Sequence, residues 1–324
     1  MTDPSRPASA PLISVVVCTY NRAALLAQAL DTLCAQTLDP DLYEVLVIDN
    51  NSTDDTRATV ERYAPRIRHV LETAQGLSHA RNRGWREARG TYIAYTDDDC
   101  KLPPDWLANA RRVIEDRAPA ALGGPYFAFY MSPKPVWFKD SYASHDQGSE
   151  ARALGPDEFL DGGNIFVRRD LLAALNGFDP GLGMAGGRVA YGEETDLIKR
   201  LRAADPDALV WYDPALVVLH LVKPRLMNLR WLMGQRFAGG RDWYKLNHSD
   251  SPPPKSRRAV LQTVRQLGYH GIQFGLDLAR GLLRRDRTTY PAFQNYLYER
   301  GFRRVFQMGE TVQALLMQLG RDGD

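Results

Sequence analysis

A parallel β-sheet covered by helices on both faces is the fold class that this 324-residue sequence predicts. Two observations carry it. Apolar, β-branched runs of strand length alternate with helical-period segments through the first hundred residues. The composition, 44% hydrophobic and 25% charged, is that of an ordinary globular chain long enough for a large core.

Residues 12–20 (LISVVVCTY) form a run suited to a buried parallel strand, with Asn21 as N-cap of the helix that follows. Leu25, Leu26, Ala29, Leu30 and Leu33 recur at helical spacing, and DPDLYEVLVIDN supplies a second buried strand ending at Asp49. A polar turn (50–56), a helix (53–63), a strand (67–71), a helix (78–88) and a strand (91–96) complete the alternation. In such a sheet ligands bind at the carboxyl ends of the strands, where Asp49 and Asp97 stand.

The second half is less regular. Residues 119–163 carry Pro125, Pro133, Pro135 and Pro156 among aromatics and glycines, which favours loops and edge strands. Residues 164–168 read as a strand, 193–202 as a helix, and 208–219 as one or two strands broken at Pro214. SPPPK at 251–255 punctuates the chain. From there to residue 304 stand 11 Lys or Arg against Asp277, Asp286 and Glu299.

A net charge of +2 is too small to argue for nucleic acid as a partner, and none is expected. Cys18, Cys34 and Cys100 have no CxxC spacing, which argues against a disulfide framework or structural zinc and fits a reducing cytosol. The first residues lack a signal-peptide core, and no stretch reaches the apolar length of a membrane span.

The chemistry centres on TDDDC (96–100). On an extended segment Asp97 and Asp99 point the same way and make a hard-cation site for Mg²⁺ or Mn²⁺, completed by substrate phosphates; a solvated acidic turn is the plainer alternative. GEETDL (192–197) reads as an acidic helix start, favourable to the helix dipole whatever its function. His220 follows an apolar run, where a lone histidine is usually structural. Gly162 and Gly163 serve either a close backbone approach or a turn.

CTYNR (18–22), VIDNNSTDDT (47–56), QGLSHARNRG (75–84), YTDDDC (95–100), GGNIFVRRDLL (162–172) with NGFDPGLG (176–183), YGEETDL (191–197) and the later His220 occur in an order that resembles the inverting family 2 glycosyltransferases of the GT-A fold, over residues 12–245. The resemblance implies a GT-A fold, Rossmann-like with a mostly parallel central sheet flanked by helices. Its organisation would be a flexible N-terminus (1–11), a catalytic domain (12–250) divided at residue 100 into nucleotide- and acceptor-binding halves, and a helical basic C-terminal extension (251–324).

It also implies roles. Asp49 would bond the nucleobase, with Thr19, Tyr20 and Arg22 bordering base and ribose and Arg81 and Asn82 facing the diphosphate. Asp97 and Asp99 match the outer positions of the family's D-x-D motif: Asp99 would be the direct ligand of Mn²⁺ or Mg²⁺, Asp97 would lie nearer the ribose or a metal-bound water, Asp98 would share either task, and His220 would be a further metal contact. Glu193 and Glu194 match the acidic pair that holds the base. Glu194 stands where the family usually has aspartate and is favoured over Glu193, with Asp196 third. Gly163, Asn164 and Asp196 would border the acceptor.

The implied reaction is a single displacement that moves a hexosyl or N-acetylhexosaminyl group, with inversion, from a UDP-sugar to a hydroxyl of a glycan, a lipid-linked or a small-molecule acceptor. A sugar-nucleotide-binding or membrane-associated protein that has lost catalysis is the alternative. A nucleotidyltransferase is disfavoured, because the first strand is followed by no glycine before Gly76. Apolar residues at 259–284 among arginines suit either peripheral contact with anionic lipid, at the inner face of the membrane, or packing on protein, including a second copy.

Overall fold

The structure, a computed structural model, describes residues 10–184, 192–248 and 251–321. Most of the expected flexible N-terminus, Tyr191 of the YGEETDL segment and the boundary at residue 250 lie outside the described residues. The chain divides into two compact units. The first takes in residues up to 129, 143–186 and 193–221, and the second 130–142, 187–192 and 222–324.

The first unit opens with β1 (Ile13–Thr19), α1 (Ala23–Cys34), β2 (Tyr43–Asp49), α2 (Thr56–Glu61), β3 (Ile67–Leu71), α3 (Leu77–Glu87) and β4 (Tyr92–Asp97). It continues through β5 (Cys100–Lys101), α4 (Trp106–Arg117), β6 (Ala121–Gly123), β7 (Tyr126–Phe129), β8 (Arg152–Ala153), β9 (Asn164–Arg168) and α5 (Arg169–Ala174). α6 (Glu193–Ala204), β10 (Val210–Tyr212) and β11 (Val218–Leu221) close it. Eight strands form one sheet in the order β3-β2-β1-β4-β9-β6-β10-β8, and β5, β11 and β7 form a second.

The strands that read as continuous apolar runs are buried on both faces. Val15 and Val17 of β1 pack with Leu26, Leu30 and Trp106 on one side, while Val16 joins Leu46, Tyr95 and Leu197 on the other. β1 to β4 are parallel, and β9 enters antiparallel between β4 and β6. The register sets Thr19 beside Asp49 and Cys18 beside Asp97, so the polar strand ends lie along one edge.

Asn21 does not cap α1. Its φ is 52°, its N–H donates to Ser52 Oγ at 2.9 Å, and its Oδ1 accepts from the Thr53 N–H at 2.7 Å, so it clamps the first loop to the second. α2 starts three residues later than expected because Asp54 accepts from the N–H groups of Thr56 and Ala23, holding that stretch as a turn.

The second unit is mainly helical: α7 (Leu229–His248), α8 (Arg257–Leu283), α9 (Phe293–Tyr296), a π-helical turn (Leu297–Gly301) and α10 (Phe302–Gln318). α7 and α10 cross through two glycines. A Cβ on Gly240 would lie 2.1 Å from the Phe306 carbonyl oxygen, and one on Gly309 2.1 Å from that of Phe237. Residues 130–142 join these helices through Tyr142, whose ring lies 4.0 Å from that of Tyr298, and through Lys139, 2.7 Å from Glu299. The compact second unit thus begins at 222 and draws in 130–142, a long-range grouping that the proline-rich punctuation at 251–255 does not signal. Among the described residues no helix is long and apolar enough to cross a membrane.

Candidate active site

At the end of β2, Asp49 is buried and braced. Its Oδ1 accepts from the Ser52 N–H at 2.8 Å, and its Oδ2 faces His69 Nε2 at 3.1 Å. His69 on β3 was not singled out by sequence reasoning; a histidine inside a strand beside a strand-terminal aspartate is the signal that was available. Tyr20 is exposed at the rim, and Thr19 is buried.

The three acids separate by task. β4 ends at Asp97, and Asp98 and Asp99 form a turn into β5, so Asp97 and Asp99 converge through the turn rather than by strand alternation. Their carboxylate oxygens and Cys100 Sγ lie within 4.8 Å of one another. Asp98 turns inward, where it accepts from Thr19 Oγ1 at 2.8 Å and from Arg22 Nη1 at 2.8 Å. Burial raises its carboxyl above the ordinary range, Arg22 opposes this, and the neighbouring Asp99 charge adds to it.

Around the outer pair stand two rings. Tyr126 Oη donates to Asp97 Oδ2 at 2.8 Å, and its ring stacks on His220 with centroids 4.8 Å apart. β11 pairs with β5, which brings His220 Nε2 to 3.4 Å from Asp99 Oδ1. Tyr126 also escaped sequence reasoning, since it lies in the irregular region and meets Asp97 only in the fold. The donor set fits a hard cation: Asp97 and Asp99 offer anionic oxygens and His220 a ring nitrogen. Cys100 Sγ lies 3.6 Å from Tyr126 Oη, and burial pushes its thiol well above the ordinary value.

Opposite lies the acidic pair at the start of α6. Arg81 on α3 is buried and donates from Nη1 to Glu193 Oε1 at 2.8 Å, with Glu194 Oε2 at 3.9 Å. Its guanidinium lies 5.3 Å from the Phe178 ring centre and 5.9 Å from that of Tyr95. Glu193 Oε2 is buried without a hydrogen-bond partner. Glu194 keeps a fifth of its side chain accessible. Burial raises its carboxyl well above the ordinary range, the Glu193 charge adds to this, and Arg81 opposes it.

Gly162 and Gly163 connect the two sides. A Cβ on Gly162 would come within 2.5 Å of Arg81 Nη2, and one on Gly163 within 2.4 Å of Asp97 Oδ2. A side chain at either glycine would displace Arg81 or Asp97 from its present position.

Three expected site residues are drawn elsewhere. Asn82 accepts from the Phe178 N–H at 2.8 Å and donates to its carbonyl at 2.7 Å, so it fastens that loop and does not face a diphosphate. Asp196 pairs with Arg200 at 2.7 Å, and Arg200 donates to the carbonyls of Leu175 and Gly177. Asn164 is wholly buried: Oδ1 accepts from Trp106 Nε1 at 3.1 Å, and Nδ2 donates to the carbonyls of Pro125 and Leu216. Both ends of its amide are engaged within the fold. Asn164→Ala is expected to cost about 3 kcal/mol of stability by orphaning these partners, with KM for the acceptor unchanged; calorimetry and initial rates below the transition check both.

A mostly parallel central sheet flanked by helices is the architecture of the GT-A fold. The chain belongs to the glycosyl transferase family 2, whose description matches residues 14–175, half of its length. Succinoglycan biosynthesis protein ExoM of Rhizobium meliloti is 30% identical over 236 residues, 70% of this chain and 72% of its own. Glucosyl-dolichyl phosphate glucuronosyltransferase of Haloferax volcanii is 26% identical over 237 residues, 70% of this chain and 75% of its own. Among solved structures, the mannosyltransferase PcManGT of Pyrobaculum calidifontis, in complex with GDP-Man and Mn²⁺, superposes with a TM-score of 0.55 at 20% identity, covering 94% of this chain and 74% of that one.

Proposed function

We propose that this glycosyltransferase moves a sugar from a UDP-sugar to an acceptor hydroxyl by metal-assisted single displacement with inversion, Glu194 acting as base. The observation that carries the reading is the unequal state of the acidic pair. Glu193 is held by Arg81, whereas Glu194 is the accessible member with the raised carboxyl. A carboxylate of raised pKa is a stronger proton acceptor, and an acceptor hydroxyl needs one as its oxygen attacks the anomeric carbon.

Asp97 and Asp99, with His220 beside them, would hold Mn²⁺ or Mg²⁺, and the bound ion would supply charge stabilisation to the departing diphosphate. Arg81 is charge-coupled to Asp97 as well as to the acidic pair, which supports a share in balancing that diphosphate. Arg22 and Thr19 keep Asp98 turned inward, so that the outer acids face the donor. Asp49 retains lone pairs after accepting from Ser52, enough to accept a uracil ring N–H, and His69 orients its second oxygen.

Glucuronosyl transfer to glucosyl-dolichyl phosphate, named for the Haloferax relative, and succinoglycan synthesis, named for the Rhizobium one, support a glycan or lipid-linked acceptor. A thermal-shift panel tests the donor. UDP-sugars with Mn²⁺ at a hundred times Kd are expected to stabilise the fold by about 2.7 kcal/mol, with GDP-sugars giving less. An equal response to GDP-mannose removes the uridine assignment. NMR of the product, showing the opposite anomeric configuration to the donor, tests inversion.

A further inference from the structure

The second unit carries an apolar helix face that none of its described residues covers. Along α8, Thr263, His270 and Gly281 are buried, and Val260, Leu267, Phe274 and Leu278 partly so. Their spacing of three and four marks the face turned to the unit's interior, where α10 packs. The other face is also apolar: Leu261, Val264, Ile272, Leu276, Leu282 and Leu283 are 43 to 81% exposed. Solvated helices carry polar residues there, so this stripe needs a partner.

Charge selects the partner. Arg257, Arg258, Arg265 and Arg284 are all exposed and stand at both ends and in the middle of the stripe. The one acid of α8, Asp277, is already paired with Arg280 at 3.4 Å. A second copy of the same face is poorly matched. An antiparallel pairing would oppose Arg257 and Arg258 to Arg284, a parallel one Arg265 to itself, and the stripe offers no carboxylate to answer them. Anionic headgroups complement the arginines while acyl chains take the apolar side chains.

We infer that α8 is a surface-lying membrane anchor that binds anionic lipid through Leu261, Ile272, Leu276 and Leu283 flanked by arginines. It lies on the bilayer without crossing it. The inference is independent of the donor and of the base assigned above, because it rests on a helix outside the active-site unit.

Vesicle co-sedimentation of the full-length protein tests it, with phosphatidylcholine alone and with about one-third phosphatidylglycerol. The protein is expected to sediment with the anionic vesicles only, and less so as salt rises. Replacing the four arginines with glutamine is expected to weaken binding about fivefold per arginine, or several hundredfold together. Ile272→Glu with Leu276→Glu is expected to weaken it at least about tenfold. Both variants should keep their melting temperature, since the side chains are exposed. No binding by the wild type, or equal binding by both variants, overturns the inference. So does a wild-type dimer that the glutamates dissociate while vesicle binding persists, which would give the face to a second copy.

Discussion

Glu194→Gln is expected to lower kcat by about a thousandfold, within the usual range for loss of a general base and worth about 4 kcal/mol of barrier. Donor binding should survive, measured as the thermal shift given by UDP-sugar and Mn²⁺. The amide keeps the shape of the side chain but does not take up the acceptor's proton. Turnover near the wild-type value would remove Glu194 from the role and return it to Glu193.

The pH profile gives a second reading of the same residue. The base acts only when ionised, and its carboxyl titrates well above the ~4.3 of free glutamate. The acid limb of kcat/KM is therefore expected well above that value, and the residual activity of the variant should lack it. Stability follows in the opposite sense. With the folded pKa above the unfolded one, the contribution of this group is complete below the unfolded pKa and is lost as pH rises through the folded one. Glu194→Gln should accordingly be more stable than the wild type on the alkaline side of that value and no different at acid pH. Melting curves across the range separate this from a folding defect.

Asp99→Asn is expected to weaken metal-dependent donor binding about a hundredfold, which removes about 2.7 kcal/mol of ligand stabilisation. Asparagine keeps an oxygen but loses the negative charge that a hard cation favours. Asp98 is poorly placed to compensate, because Thr19 and Arg22 engage its two oxygens. Titration calorimetry with and without Mn²⁺ checks the claim. Stripping the metal from the wild type should bring it to the level of the variant, and a donor Kd indifferent to both changes would disprove the ligand assignment.

β1, β2 and β4 were legible because burial on both faces makes a strand largely apolar, and such a run needs no partner to be recognised. The direction of β9 and the small sheet of β5, β7 and β11 were not, since strands of two to five residues take their pairing from neighbours distant in the chain. Helices after residue 251 were expected and α7 was not, and the crossing of α7 and α10 through Gly240 and Gly309 depends on a backbone approach that no local pattern records.

Within the site, residue types were readable and their partners were not. Asn82 and Asn164 look like ligand contacts beside their motifs, yet Phe178 and Trp106 consume their amides. Tyr126 carries no local mark and His69 only its place inside a strand, yet one donates to Asp97 and the other faces Asp49.

By itself the sequence determined that a mostly parallel sheet carries acids at its strand ends and a second acidic pair at a helix start, because these follow from periodicity and position along the chain. The tertiary structure alone decided what surrounds each acid. Thr19 and Arg22 hold Asp98, with Arg22 also 3.5 Å from Asp99, and Arg81 lies 2.8 Å from Glu193 and 3.9 Å from Glu194. The reason is electrostatic: the state of a buried carboxylate is set by the charges and donors within a few ångströms, and here those come from residues 76 to 112 positions away.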